Sequence, residues 1–146
     1  MFRKIKLCNF QIEEELDLNA KLAVFTSSLG MYSVRDKDKS MYRIFLELFK
    51  SSLFDEGLKS SDLAKKTGRS RGTIVFHLNK MLDSGLIIQK DNKYYLREKN
   101  LNQLVDTLKK DIDRYLEDLK TLGKDIDVQM ENMKETNKKD DIQKKN

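Results

Sequence analysis

Lys65, Lys66, Arg69, Arg71, Lys80, Lys90 and Lys93 crowd into one stretch of the chain, with the hydroxyls of Ser70 and Thr73 and the only histidine, His77. These are anion-binding types. An arginine guanidinium is a planar fork of donors that can grip two acceptors at once. Hydroxyls beside a helix N-terminus add to free backbone N–H groups that already favour negative charge. Catalysis fits the same residues poorly. His77 lacks a neighbouring nucleophile, and the one cysteine, Cys8, is far away in sequence. No glycine-rich phosphate loop, serine elbow or pair of carboxylates in a recognisable context is present, which argues against an enzyme. Aspartate and glutamate alone could hold a hard cation, but no spacing suggests it, so neither metal nor cofactor is expected. Cys8 leaves no internal disulfide and fits a reducing cytoplasm. It reads as structural, with a redox switch as the alternative, supported only by nearby Lys4 and Lys6.

The elements that must position these side chains follow from local signals. Ser70 is a good helix N-cap, because its hydroxyl can accept from the unpaired N–H groups of the first turn. Ile74, Leu78 and Met81 then recur at spacings of four and three, which makes one apolar stripe. Arg71, Thr73, His77 and Lys80 lie between those positions and are expected to face outward. Gly85 tolerates the left-handed position that ends a helix. Upstream, residues 60–67 read as a short helix with Leu63 and Ala64 turned inward, and Gly68-Arg69 is a tight turn. Two short helices joined by such a turn form a helix-turn-helix. Downstream, 86–90 and 93–97 look like two strands, with Asp91-Asn92 supplying the turn between them. That hairpin is a wing.

The succession Thr73-Ile-Val-Phe-His-Leu78, Met81, Gly85-Leu-Ile and Tyr94-Tyr-Leu96 resembles the winged helix-turn-helix of ArsR- and MarR-type transcriptional regulators, which are small prokaryotic proteins. The resemblance covers roughly 41–97. It implies that the helix at about 70–84 enters the major groove of double-stranded DNA, and that the wing at about 86–97 lies on the minor groove or the backbone. On that implication Arg71 is the first choice for a base contact, gripping guanine bidentately. Ser70 and Thr73 would hold phosphate, and Lys65, Lys66 and Arg69 would position the backbone. Phe76, His77 and Lys80 would share the recognition face, and Lys90, Asn92 and Lys93 would reach out from the wing tip. His77 is either a DNA contact or a half-buried residue. The chain departs from the family at Val75, usually small and polar, and at Phe76, often basic or polar. Those two could read thymine methyls or bury against something else. Metal-sensing members use cysteines or clustered histidines and carboxylates, which this chain lacks, so no small-molecule effector is evident.

Charge supports the same segment. Residues 59–99 hold ten basic and four acidic side chains, an excess of six, while 1–58 balance and 100–146 carry one net negative charge. The bland alternative is a solvated lysine-rich surface, but here the surplus is confined to the segment that looks DNA-binding. Such charge releases counterions from a phosphate backbone and steers association. The whole chain has 146 residues, of which 36% are charged, and its mean hydropathy of −0.67 predicts a soluble protein. No apolar run approaches the roughly 18 residues a membrane helix needs. The opening Met-Phe-Arg-Lys-Ile-Lys is broken by charge too soon for a signal peptide. A cytoplasmic, nucleoid-associated location is expected.

The predicted fold class is mainly α with a small β-hairpin wing: a winged helix-turn-helix domain plus a long, coiled-coil-like C-terminal helix. Residues 1–36 form an N-terminal extension for packing or dimerisation. Lys4–Cys8 alternates like a short strand, Glu13–Glu15 is a solvated acidic run, and Leu18–Phe25 leans to helix, with Asn19 as a possible cap and with its β-branched and aromatic content keeping strand open. A polar linker at 35–40 opens the domain of 37–99, whose first helix shows Met41, Ile44, Phe45 and Leu48 on one face. Leu58 is expected to insert into the core. In 100–133, Leu101, Val105, Leu108, Ile112, Tyr115, Leu119, Leu122 and Ile126 make a heptad seam of mean period 3.5. Dimerisation through this helix is favoured over folding back, since the seam exceeds what one small domain can cover. Leu104, Leu116 and Met130 widen the stripe, which keeps a bundle open beside a parallel zipper, and Gly123 is a weak point or kink. The polar tail at 134–146 is expected to be disordered. Together these features predict a homodimeric, sequence-specific DNA-binding transcription regulator. Two alternatives are a sequence-tolerant architectural DNA binder and a protein-interaction adaptor built on the winged domain and coiled coil.

Overall fold

The computed structural model describes residues 16–31 and 39–145, in the order α1 (Leu18–Ser28), α2 (Ser40–Ser52), α3 (Ser60–Thr67), α4 (Arg71–Asp83), β1 (Ile87–Lys90), β2 (Lys93–Leu96) and α5 (Leu101–Lys144). The strand expected at Lys4–Cys8, the acidic run at Glu13–Glu15, Cys8 and most of the 35–40 linker lie outside the described residues. The chain divides into two units, one closing at Leu104 and the other beginning at Val105.

In the first unit α2, α3 and α4 bring their apolar faces together. Ile44, Phe45 and Leu48 of α2, Leu63 of α3, and Ile74, Leu78 and Met81 of α4 are all fully buried. Each such side chain contributes about 1.5–3 kcal/mol by leaving water, and their spacings of three and four are what make three short helices cohere. Leu58 is buried as expected, and it does more than fill space. Its N–H donates to the Tyr94 carbonyl at 3.1 Å, and Tyr94 N–H donates back to the Leu58 carbonyl at 2.8 Å. One residue of the α2–α3 connection thus extends the wing's sheet and ties it to the helices.

The hairpin pairs antiparallel in the register Ile87↔Leu96, Ile88↔Tyr95, Gln89↔Tyr94 and Lys90↔Lys93. Asp91 and Asn92 both take positive φ, 51° and 62°, the pair of left-handed residues that matches the twist of a two-residue hairpin. Ile87, Tyr94 and Leu96 turn into the core, while Ile88 faces out.

α1 is capped two residues earlier than expected. Asp17, not Asn19, is the N-cap, its Oδ1 accepting from Ala20 N–H at 2.7 Å. A carboxylate also complements the positive end of the helix dipole, which a neutral amide does not. Phe25 stacks on Phe45 of α2 at a centroid distance of 6.5 Å. Buried Thr26 spends its hydroxyl on the Leu22 carbonyl at 2.8 Å.

At the start of α5, Asn100 Oδ1 accepts from Gln103 N–H at 2.8 Å. Leu104, expected only to widen the seam, is fully buried and completes the first unit's core. The second unit is a single helix. It runs unbroken through Gly123 and on to Lys144, across most of the tail expected to be disordered. The reason is local: beyond Gly123 there is no glycine or proline. Glu135 and Lys139, Asp140 and Lys144, and Asp141 and Lys145 are spaced i,i+4 with the acid first, the order that supports a helix. No described helix is long and apolar enough to cross a membrane.

Candidate nucleic-acid interface

The turn between α3 and α4 is fixed by three devices. Asp62 Oδ2 accepts from Lys59 N–H at 3.1 Å and closes the start of α3. Gly68 ends that helix at φ 67°, a region most side chains resist. Ser70 then caps α4: its hydroxyl accepts from Thr73 N–H at 3.2 Å and donates to Thr73 Oγ1 at 2.9 Å. At the far end Gly85 takes φ 74°, as its position required. Arg97, at the foot of the wing, donates from Nη1 to the Gly85 carbonyl at 3.4 Å. The wing and the end of α4 are therefore braced against each other.

With Ile74, Leu78 and Met81 inward, the helical rotation of 100° per residue decides what α4 displays. Arg71, Gly72, Val75, Phe76, Asn79 and Lys80 are exposed, and Gly72, Phe76 and Asn79 lie opposite the buried stripe. Two residues expected on this outer face sit differently. Thr73 and His77 flank the buried stripe and are half-buried, Thr73 being engaged in the cap and His77 lying edge-on to the Phe76 ring at 5.4 Å. Of the two readings of His77, its burial matches the half-buried one. The Lys80 ammonium lies over the same ring, 4.3 Å from its centroid. Phe76 is thus held between a cation and an imidazole, with 56% of its surface still open. Gly72 and Asn79 escaped the sequence reading, which took residue types before helical phase. Asn79 carries an amide of the kind that pairs with adenine.

The remaining side chains surround this face. Lys65, Lys66 and Ser70 are exposed, and Arg69 is half-buried. Lys90, Asn92 and Lys93 are exposed at the tip of the hairpin, with Lys90 and Lys93 as its last paired residues. On α5 the seam divides. Leu108 is buried, and Leu101 and Ile112 are half-buried. Val105, Tyr115, Leu119, Leu122 and Ile126 remain 43–55% exposed, an apolar line on a solvent-facing helix. Among the described residues no group of three or more His, Cys, Asp or Glu is placed to hold a metal ion.

Residues 51–89 match the family model described as bacterial regulatory protein, arsR family. No curated protein and no solved structure matches the chain. The matched segment begins in the last turn of α2 and ends inside β1, so it takes in the whole α3–turn–α4 motif. This segment is similar to the helix-turn-helix of that family, and the two-stranded hairpin that follows α4 is consistent with a winged helix-turn-helix.

Proposed function

We propose that this protein, which carries an ArsR-family helix-turn-helix, is a sequence-specific transcription regulator that binds double-stranded DNA as a homodimer. The observation that carries the reading is the face of α4. Arg71, Asn79 and Lys80 stand exposed on a helix whose Ile74, Leu78 and Met81 are fully buried, within the segment holding the chain's entire excess of positive charge. In this assignment α4 lies in the major groove and Arg71 grips a guanine. Ser70 and the first turn of α4 meet a phosphate. Lys65, Lys66 and Arg69 position the backbone, while Lys90, Asn92 and Lys93 reach the minor groove or its phosphates.

Dimerisation rests on α5. Solvent-exposed leucine, isoleucine and tyrosine at alternating steps of three and four are costly to leave in water, and a second copy of the same helix covers them. Two copies related by a two-fold axis would read a near-palindromic site with half-sites about one helical turn, or a multiple, apart. Acting on the genome implies a cytoplasmic protein.

The test is fluorescence anisotropy on pooled genomic fragments at several salt concentrations, with the bound fragments sequenced. Enrichment of a palindrome is the expected result. The exposed Val75 and Phe76 favour one second reading, an architectural DNA binder, for which binding would be strong and salt-sensitive without enrichment. Absence of binding near physiological salt would overturn both and leave an adaptor for protein partners.

A further inference from the structure

We infer that Phe76, with Val75 beside it, is a thymine-methyl reader, so that each half-site presents A·T pairs to the middle of α4. This rests on the DNA-binding reading above and adds what that face recognises. Phe76 is 56% exposed and Val75 36%, apolar side chains left on the surface of a domain in which the α4 apolar residues Ile74, Leu78 and Met81 are fully buried in its core. Both stand on the side of α4 turned away from that core, among Arg71, Asn79 and Lys80. Two side chains lie against the Phe76 ring. Lys80 Nζ lies 4.3 Å from its centroid and His77 meets it edge-on at 5.4 Å. The ring is an exposed apolar surface with a cation at its margin.

Gly72, one turn earlier on the same face, supplies the second observation. A Cβ added there would meet nothing within 4 Å, so no contact inside the protein requires its absence. Glycine weakens a helix relative to alanine, and one use of it is to let another surface approach the backbone closely. Next to Phe76 it leaves a notch where a base edge can approach the backbone. Of the four bases only thymine puts an apolar group, its C5-methyl, into the major groove, and apolar side chains are the partners that recognise it. The basic surround attracts the duplex, and the apolar centre selects within it.

The test uses a random thymidine pool of 30-base-pair duplexes, with deoxyuridine, which differs only by that methyl, as the replacement nucleoside. Full-length protein is first used to enrich sequences from the thymidine pool. The enriched duplexes are then remade in both forms and their Kd values compared at fixed salt. The inference expects thymine-containing half-sites whose uracil forms bind about fourfold more weakly per methyl removed, the effect of exposing one methylene-sized group. Phe76→Ala, at an exposed position, should narrow the difference between the two forms while keeping its salt dependence. Gly72→Ala should fold normally and lose affinity for both forms about equally. Equal binding of thymine and uracil forms by the unmodified protein would overturn the methyl reading while leaving DNA binding standing. Failure to retain any duplex would overturn the DNA-binding reading as well.

Discussion

Replacing Leu119 by aspartate tests the proposed dimer at an exposed apolar residue of α5. Leu119 is 43% exposed and lies in the second unit, on a helix with no core of its own. Covering that remaining surface would contribute about 1 kcal/mol per protomer, or about 2 kcal/mol per dimer. An aspartate loses this and also brings two carboxylates into the seam, for a further 2–4 kcal/mol or so even when they are partly hydrated. At 1.4 kcal/mol per tenfold, a loss of roughly 4–6 kcal/mol weakens association about a thousand- to ten-thousandfold. Sedimentation equilibrium should then return the monomer mass of 17.2 kDa in place of twice that value, while circular dichroism keeps its helical signal. Lys120→Asp, one position round the helix and off the seam, is the control and should stay dimeric. A Leu119→Asp protein that still sediments as a dimer would move the interface off this face of α5.

Arg71→Ala should cost about 1–3 kcal/mol on an enriched site and relax discrimination there; unchanged affinity and preference in anisotropy would remove Arg71 from base readout. Lys93→Ala should weaken binding to all sequences alike and reduce the salt slope by about one, whereas an unchanged slope would take the wing tip off the phosphates. Gly57→Ala would place a Cβ 2.7 Å from Tyr95 Oη. The wing must then shift at a cost of about 1–3 kcal/mol, seen as a fall in Tm by calorimetry; an unaltered Tm would mean that Tyr95 swings aside freely. In a Cys8→Ser background, Leu122→Cys should form a disulfide-linked dimer on mild oxidation if the helices run parallel and in register. Asp111, Asp118 and Asp125 recur every seven residues along one flank of the seam, and an antiparallel pair would set that row against itself. Failure to cross-link would argue for the antiparallel arrangement.

The winged domain was legible because its determinants are local. Ser70 as cap, Gly68 and Gly85 in left-handed conformations, and Asp91-Asn92 as a turn each fix a boundary without help from distant residues. The errors came where a choice depended on packing or on phase. Asp17 and Asn19 are both competent caps two residues apart, and nothing in their types says which one begins the helix. Leu104 lies three residues after Leu101 and four before Leu108, so spacing alone fits it equally to the seam or to the core. The core claims it. The tail at 134–144 was judged by its polarity, which governs whether a segment can bury surface. Its helical backbone depends instead on the absence of breakers and the order of its charges.

The same distinction explains the site. Arg71 and Lys80 stand out by type, and the structure exposes both. Thr73 and His77 are equally polar, but one turn of phase places them beside the buried stripe of Ile74, Leu78 and Met81. Gly72 and Asn79 fall opposite that stripe, where residue type gave no reason to look. Three features of the free protein are unfavourable for it alone: a largely open phenylalanine on α4, a surface glycine with space above it, and an apolar line along α5. None is relieved within the described chain, and two different second surfaces would relieve them. A duplex seated on α4 covers the first two, and a second copy of the helix covers the third. The Phe76 and Leu119 substitutions should therefore separate cleanly, the one changing which bases are preferred without changing mass, the other changing mass without changing which base the single domain prefers.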